Sequence, residues 1–413
     1  MSKKMGLVFS LVGLTLIAAA CTSLDHRASK DPSKFDIAQD VKTVCKEVPR
    51  KYAYFEARSA HWEETCLRAE QEAALQEGRR GSLAILERMV DDLYDSHASL
   101  NANNQKSPRL VPSGSDLFIE VREDRYIITA VRPMSGAAKA GVSVGDEFVS
   151  FNNIPPNELA MTRIHAGKTN VSADRLIWAI NAAVAGTRTE PRAIEIRRAD
   201  ALLSFDLGAP EVSLPEHPIS VEKLSENIGY VRFNNSLGSS NTVAEFTKAL
   251  ESLRQTSGII LDMRETPSGG NTSVAEPILG RFVQERTAYQ RTVKRSGRTY
   301  TPKIKPTGRW TYDKPVIILV GRWTGSMGEG IAIGFDGMSR GKVMGSQMAR
   351  LAGGTKAIKL KGLGISLNLP TYDLHHLNGT LRHNWAPSEI VIADNGTGED
   401  LLLALAIKAL AVE

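Results

Sequence analysis

Apolar residues at Leu83, Leu86, Met89, Val90, Leu93 and Tyr94 recur at the spacing of one helical face, which predicts a helix over 82–94. Residues 61–77, around Trp62-Glu-Glu-Thr-Cys-Leu67, are rich in strong helix formers, and three helical stretches are expected within 35–105. The helix over 82–94 stops at Asp95, leaving Ser96-His97-Ala98-Ser99-Leu100 at its end. From about Pro108 the period changes to that of strands. Leu117, Ile119 and Val121 alternate, and Tyr126 to Val131 is a β-rich run. Ala137 to Ala140 predict a short helix ending at Gly141, and Gly145-Asp146 a turn into a strand over Glu147 to Phe151.

The last third of the chain alternates strands and helices. Strands are expected over Ile228 to Phe233, Gly258 to Met263 and Val316 to Val320. Helices are expected around Val243, Phe246, Leu250 and Leu253, from about Thr272, and after the turn that follows Val320. The alternation argues for an α/β layer with parallel pairing. At 413 residues, with 42% hydrophobic and 23% charged, the chain suits two or three globular domains and excludes disorder, collagen and coiled coil as whole-chain descriptions.

The formal charge of +5 contains no long basic run, so nucleic acid is not the expected partner. No GxGxxG or GxxxxGK[ST] run supports nucleotide binding, and no cofactor is expected. His375-His376 and His383 could be read as metal ligands, but without a matching acidic or cysteine cluster they read as a polar loop, and no metal is expected. Three cysteines are too few for a disulfide scaffold.

Residues 1–20 have a basic start, Lys3-Lys4, an uncharged stretch from Met5 and small residues before Cys21, the layout of a secretory signal peptide. The Ala-Ala-Ala-Cys21 ending resembles the bacterial lipoprotein processing site. That resemblance implies a lipidated Cys21, a polar tether over 21–34, and, because Thr22 is not Asp, an outer-membrane lipoprotein facing the periplasm. A plain signal peptide with an incidental cysteine is the alternative. In an oxidising compartment Cys45 and Cys66 have a disulfide as their simplest use, worth about 3 kcal/mol in the chain-entropy account, against two buried free thiols.

The run Arg132-Pro-Met-Ser-Gly-Ala-Ala-Lys-Ala-Gly-Val-Ser-Val-Gly-Asp146 resembles the PDZ domain of bacterial proteases, with edges near 106 and 212. The resemblance implies strand addition of a peptide end, with a groove entrance near Leu117, Phe118 and Ile119. A structural β domain without a ligand is the other reading, since Asp116 would repel a carboxylate.

Two turns follow the strands of the α/β region: Asp262-Met-Arg-Glu-Thr-Pro-Ser-Gly-Gly-Asn271 and Gly321-Arg-Trp-Thr-Gly-Ser-Met-Gly-Glu-Gly330. Consecutive glycines allow close backbone approach, and a serine at a strand-to-helix turn sits where negative charge is favoured. In this order, and after a PDZ-like run, the turns resemble the S41 peptidases, the carboxyl-terminal processing and tricorn-like proteases, over about 80–400. The resemblance implies a ClpP/crotonase-like α/β catalytic domain over 213–413, with Ser326 as nucleophile and an oxyanion site at Gly269 or Gly270 and Met327.

The processing proteases activate their serine with a lysine in a Phe-Gly-Lys-Gly segment. Here that segment reads Gly345-Ser-Gln-Met-Ala-Arg-Leu-Ala-Gly-Gly354, with Lys356 five positions late. The tricorn-like branch uses histidine, which points to His97 as base, with Ser96 helping to orient it. A C-terminal glutamate completes that branch's relay. Here His383 stands where the acid is expected, leaving Glu329 or Asp336 as fallback acids. The implied protein is a lipid-anchored envelope serine endopeptidase acting on peptide or protein substrates, with room for a homo-oligomer. A catalytically inactive peptide-binding scaffold is the alternative. A crotonase-like acyl-CoA enzyme accounts for neither the PDZ-like run nor the leader.

Overall fold

The computed structural model describes residues 36–390 and 400–412. The leader, the tether and Cys21 lie outside the described residues. No helix among the described residues is long and apolar enough to cross a membrane.

The α/β region is built on a six-stranded sheet. From one edge to the other run Glu389–Ile390, Lys342–Gly345, Val316–Val320, Gly258–Asp262, Ile228–Phe233 and Ile219–Lys223. All neighbours pair in parallel except the last two, which are antiparallel. The two central strands are buried at every residue, which is why they read as continuous apolar runs and not as alternation. Ile259, Leu261, Ile318 and Val320 face the helices Asn241–Ser252, Thr272–Leu279 and Met327–Gly337. Ile260, Ile317 and Leu319 face the terminal helix Leu401–Val412, through Leu402, Ala406 and Leu410. Because Gly258–Asp262 and Val316–Val320 are parallel neighbours, their following turns emerge side by side at the carboxyl end of the sheet.

The region 106–212 holds a five-stranded antiparallel sheet in sequential order: Leu117–Arg122, Arg125–Val131, Glu147–Phe151, Arg192–Arg198 and Ala201–Leu207. The short helix Gly136–Ala140 is capped by Ser135 and stops at Gly141, whose φ of +95° lies in the left-handed region. Strand Leu117–Arg122 is an edge strand, yet the carboxamide of Asn181, from the helix Ala173–Ala185, occupies that edge. Its Oδ1 accepts from the Ile119 N–H and its Nδ2 donates to the Ile119 carbonyl, both at 2.8 Å. Leu117 and Ile119 are buried, and Asp116 is fully buried, ion-paired with Arg192 and accepting from the Ala137 N–H at 3.0 Å. An added strand would have to displace Asn181.

The helical region does not close a core of its own. The helices Ile37–Lys51, Trp62–Leu75 and Arg79–Asp91 pack their apolar faces onto the late hairpin Gly354–Leu360 and Ile365–His375. Asp40 accepts from the N–H groups of Gly362 and Leu363, each at 2.7 Å, and a disulfide joins Cys45 to Cys66. Ser99 and Leu100 pair with Asn368 and Leu367, so the residues just before them are pinned beside the hairpin. This pairing carries His97 from one end of the chain to the α/β region.

Candidate active site

Ser326 ends the turn after Val316–Val320 and caps the helix Met327–Gly337. Its backbone, at φ 49° and ψ −103°, is one that a residue with a Cβ rarely adopts, at a cost of about 1–3 kcal/mol. Glu329 holds that conformation by accepting from the Ser326 N–H at 2.8 Å. Ser326 Oγ lies 3.0 Å from His97 Nε2, and His97 Nδ1 lies 2.7 Å from the carbonyl oxygen of Ala352.

A carbonyl can only accept, so these partners assign the ring proton to Nδ1 and leave the Nε2 lone pair facing the serine hydroxyl. Burial lowers the His97 pKa, and the Arg382 cation lowers it further. The ring is therefore neutral at neutral pH, the form a general base requires. Asp95 accepts from the His97 backbone N–H at 2.9 Å, while its other oxygen is held by the Tyr52 hydroxyl at 2.7 Å and by Arg58 at 3.1 Å.

The Gly-Gly turn closes over the nucleophile. Gly269 has a φ of +62°, and a Cβ there would lie 2.4 Å from Ser326 Cβ and 3.0 Å from its Oγ. Its N–H donates to the Thr266 carbonyl at 3.0 Å, which removes Gly269 as an oxyanion donor. Gly270 and Met327 remain, the latter at the N-terminus of the nucleophile helix. Gly325 N–H also donates to the Thr266 carbonyl, at 3.2 Å, so one oxygen ties both turns together.

Other expected residues lie elsewhere. Ser96 lines a cavity of about 200 Å³ with Leu110 and Trp178, and the imidazole takes the Ala352 carbonyl instead. Asp336 sits toward the far end of the nucleophile helix, 3.0 Å from His376 Nε2. Glu329 is fully buried, and its hydrogen bonds go to the N–H groups of Ser326 and Leu351, not to the imidazole. Burial pushes its carboxyl up to about 7, against the downward pull of Arg382 and the backbone amides. His383 packs edge-on against Tyr54, and burial pulls its pKa down to about 4. Lys356 is exposed, in the register opposite Leu369. The Arg322 guanidinium lies over the Phe118 ring, 3.7 Å from the centroid.

Three features escaped the sequence reading. Ala352 acts through its main chain, so no side-chain signal exists for it. Arg382 is the immediate neighbour of His383 and is buried behind the site. The third is a set of contacts from the region 106–212 onto both turns: Arg132 pairs with Glu265 at 2.8 Å, Glu120 pairs with Arg322, and the Trp323 indole donates to the Ser115 carbonyl at 2.9 Å.

A half-buried serine on a strained strand-to-helix turn, a neutral histidine on its hydroxyl and a Gly-Gly turn beside both make up the constellation of a serine-type hydrolase. Residues 227–386 match the sequence profile of peptidase family S41. It is 23% identical over 272 residues to the carboxyl-terminal-processing protease of Picosynechococcus sp., a match covering 64% of this chain and 61% of that protein. The chain thus spans about three-fifths of the length of that curated relative. Its fold is similar to the photosystem II D1 C-terminal processing protease, with a TM-score of 0.54 and 16% identity over 86% of this chain and 93% of the other. It is also similar to mature CPAF, with a TM-score of 0.56 and 14% identity over 86% and 92%.

Proposed function

We propose that this chain is a serine endopeptidase of the cell envelope that cleaves peptide or protein substrates. The observation that carries the reading is the short chain of contacts Ser326 Oγ, His97 Nε2, His97 Nδ1, Ala352 carbonyl. As Ser326 Oγ attacks a peptide carbonyl carbon, its proton passes to His97 Nε2, and the carbonyl oxygen gains charge that the N–H groups of Gly270 and Met327 receive. The imidazolium then gives that proton to the leaving amine as the C–N bond breaks, leaving an acyl-serine. Water, deprotonated by the same nitrogen, releases the acid and restores the hydroxyl. Histidine fills the role that the family's lysine would otherwise play, so the absence of lysine from 345–354 does not disarm the serine.

In this reading the PDZ-like region braces the catalytic turns, because Arg132, Glu120 and Ser115 bond to both of them and Asn181 holds the Ile119 edge. The leader supports anchoring by lipid on Cys21 at the outer membrane, facing the periplasm. Intact-mass analysis of the exported protein should give a chain starting at a lipidated Cys21, and an unmodified cysteine removes the anchor. Fluorophosphonate should label the wild type and not Ser326→Ala, and His97→Ala should lower peptidase kcat at least about a hundredfold. Labelling that persists in Ser326→Ala overturns the nucleophile, and absence of labelling in the wild type leaves a peptide-binding scaffold.

A further inference from the structure

The acceptor on His97 Nδ1 is held from two sides. Arg382, only 1% exposed, directs Nη2 to the carbonyl oxygens of Leu351 and Gly353, each at 2.9 Å. Ala352, between them, is fixed with its own carbonyl turned to the imidazole. Glu329 accepts from the Leu351 N–H at 3.3 Å as well as from Ser326, and its Oε2 stands 3.9 Å from Arg382 Nη2. One buried contact, between Glu329 and Arg382, therefore joins the backbone of the serine to the segment that orients the histidine.

We propose that Arg382 is the positioning residue of this site, fixing with Glu329 the Ala352 carbonyl as the third member of the Ser326 and His97 relay, where an acidic side chain was expected. The proposal rests on the reading of those two residues as nucleophile and base. A carboxylate at Nδ1 would stabilise imidazolium by charge, whereas a carbonyl offers only a dipole, and a nearby guanidinium opposes the protonated ring. The charged groups around the ring are Asp95 on its own segment, neutralised by Arg58, and Arg382 from the turn over 382–384. Glu329 from the nucleophile helix contacts Arg382, and Arg350 donates to the His383 carbonyl at 3.0 Å. Of these Asp95 favours the imidazolium, while Arg382 and burial disfavour it.

The test is a histidine-resolved NMR titration of the full chain carrying Ser326→Ala, which requires no turnover. Arg382→Gln should raise the His97 midpoint by about one pH unit. Arg382→Lys keeps the charge, but its shorter side chain leaves the ammonium short of the point where Nη2 meets both carbonyls. It should leave the midpoint in place and, in the chain with Ser326 intact, lower the fluorophosphonate labelling rate about tenfold. A folded glutamine variant with an unmoved midpoint overturns the proposal. If the glutamine variant does not fold, a lysine variant labelled at the wild-type rate overturns it instead. Failure of the wild type to label, by contrast, overturns the peptidase reading.

Discussion

In the proposed mechanism His97 acts as a base only while uncharged, and the residues around it decide the pH at which that holds. Burial and Arg382 place its folded pKa below the ordinary 6.5. kcat/KM of the free enzyme should therefore fall on the acid side with an inflection below pH 6.5, measured as initial rates on a peptide substrate from pH 4 to 8. An inflection above 6.5 would mean that an anionic partner dominates the ring. The same depression links to stability. The unfolded chain takes up the proton near 6.5 and the folded chain only at lower pH, so this contribution is present above 6.5 and lost as the pH falls through the folded value. Ser326 and His97, which the fold brings into contact, could be singled out because each lies in a short recognisable run. The relay's third member was not, because a main-chain carbonyl belongs to every residue, and only the packing of Arg382 selects Ala352.

At the level of elements, local pattern was a good guide wherever burial is one-sided or complete. The short helix ending at Gly141 and the strand Glu147–Phe151 stand where turn residues and alternation placed them, as do the central strands Gly258–Asp262 and Val316–Val320. The edge strand Leu117–Arg122 was legible as a strand but not as a closed one. Its state depends on Asn181, more than sixty positions later in the chain, whose amide copies the hydrogen bonds of a neighbouring strand. Asn181→Ala should lower the unfolding free energy by about 2–3 kcal/mol, because a buried N–H and C=O of Ile119 lose their partners. Urea denaturation measures this, and an unchanged midpoint and slope would mean that the edge does not depend on Asn181.

For the whole molecule, the α/β layer was legible from alternating strands and helices, whereas the joining of its parts was not. The helices before residue 92 read as a separate region because nothing in their pattern names a partner. That partner is the hairpin 354–375, whose Ile358, Leu360, Leu367 and Leu369 complete their core. The brace from the region 106–212 was hidden for the same reason: Arg132, Glu120 and Arg322 look like ordinary surface charges until the fold buries their contacts.

The proposed base, His97, stands 229 positions before the proposed nucleophile, Ser326, and the carbonyl of Ala352 that it contacts stands 255 positions after His97. A chain still being made thus holds a histidine with nothing to activate, then a serine with no oriented base, until Arg382 has emerged and the late hairpin has docked on the first helices. On the proposed assignment no partial chain carries a complete relay, so the order of synthesis is itself a safety interval in which such a peptidase cannot cut its own unfolded segments or those of its neighbours.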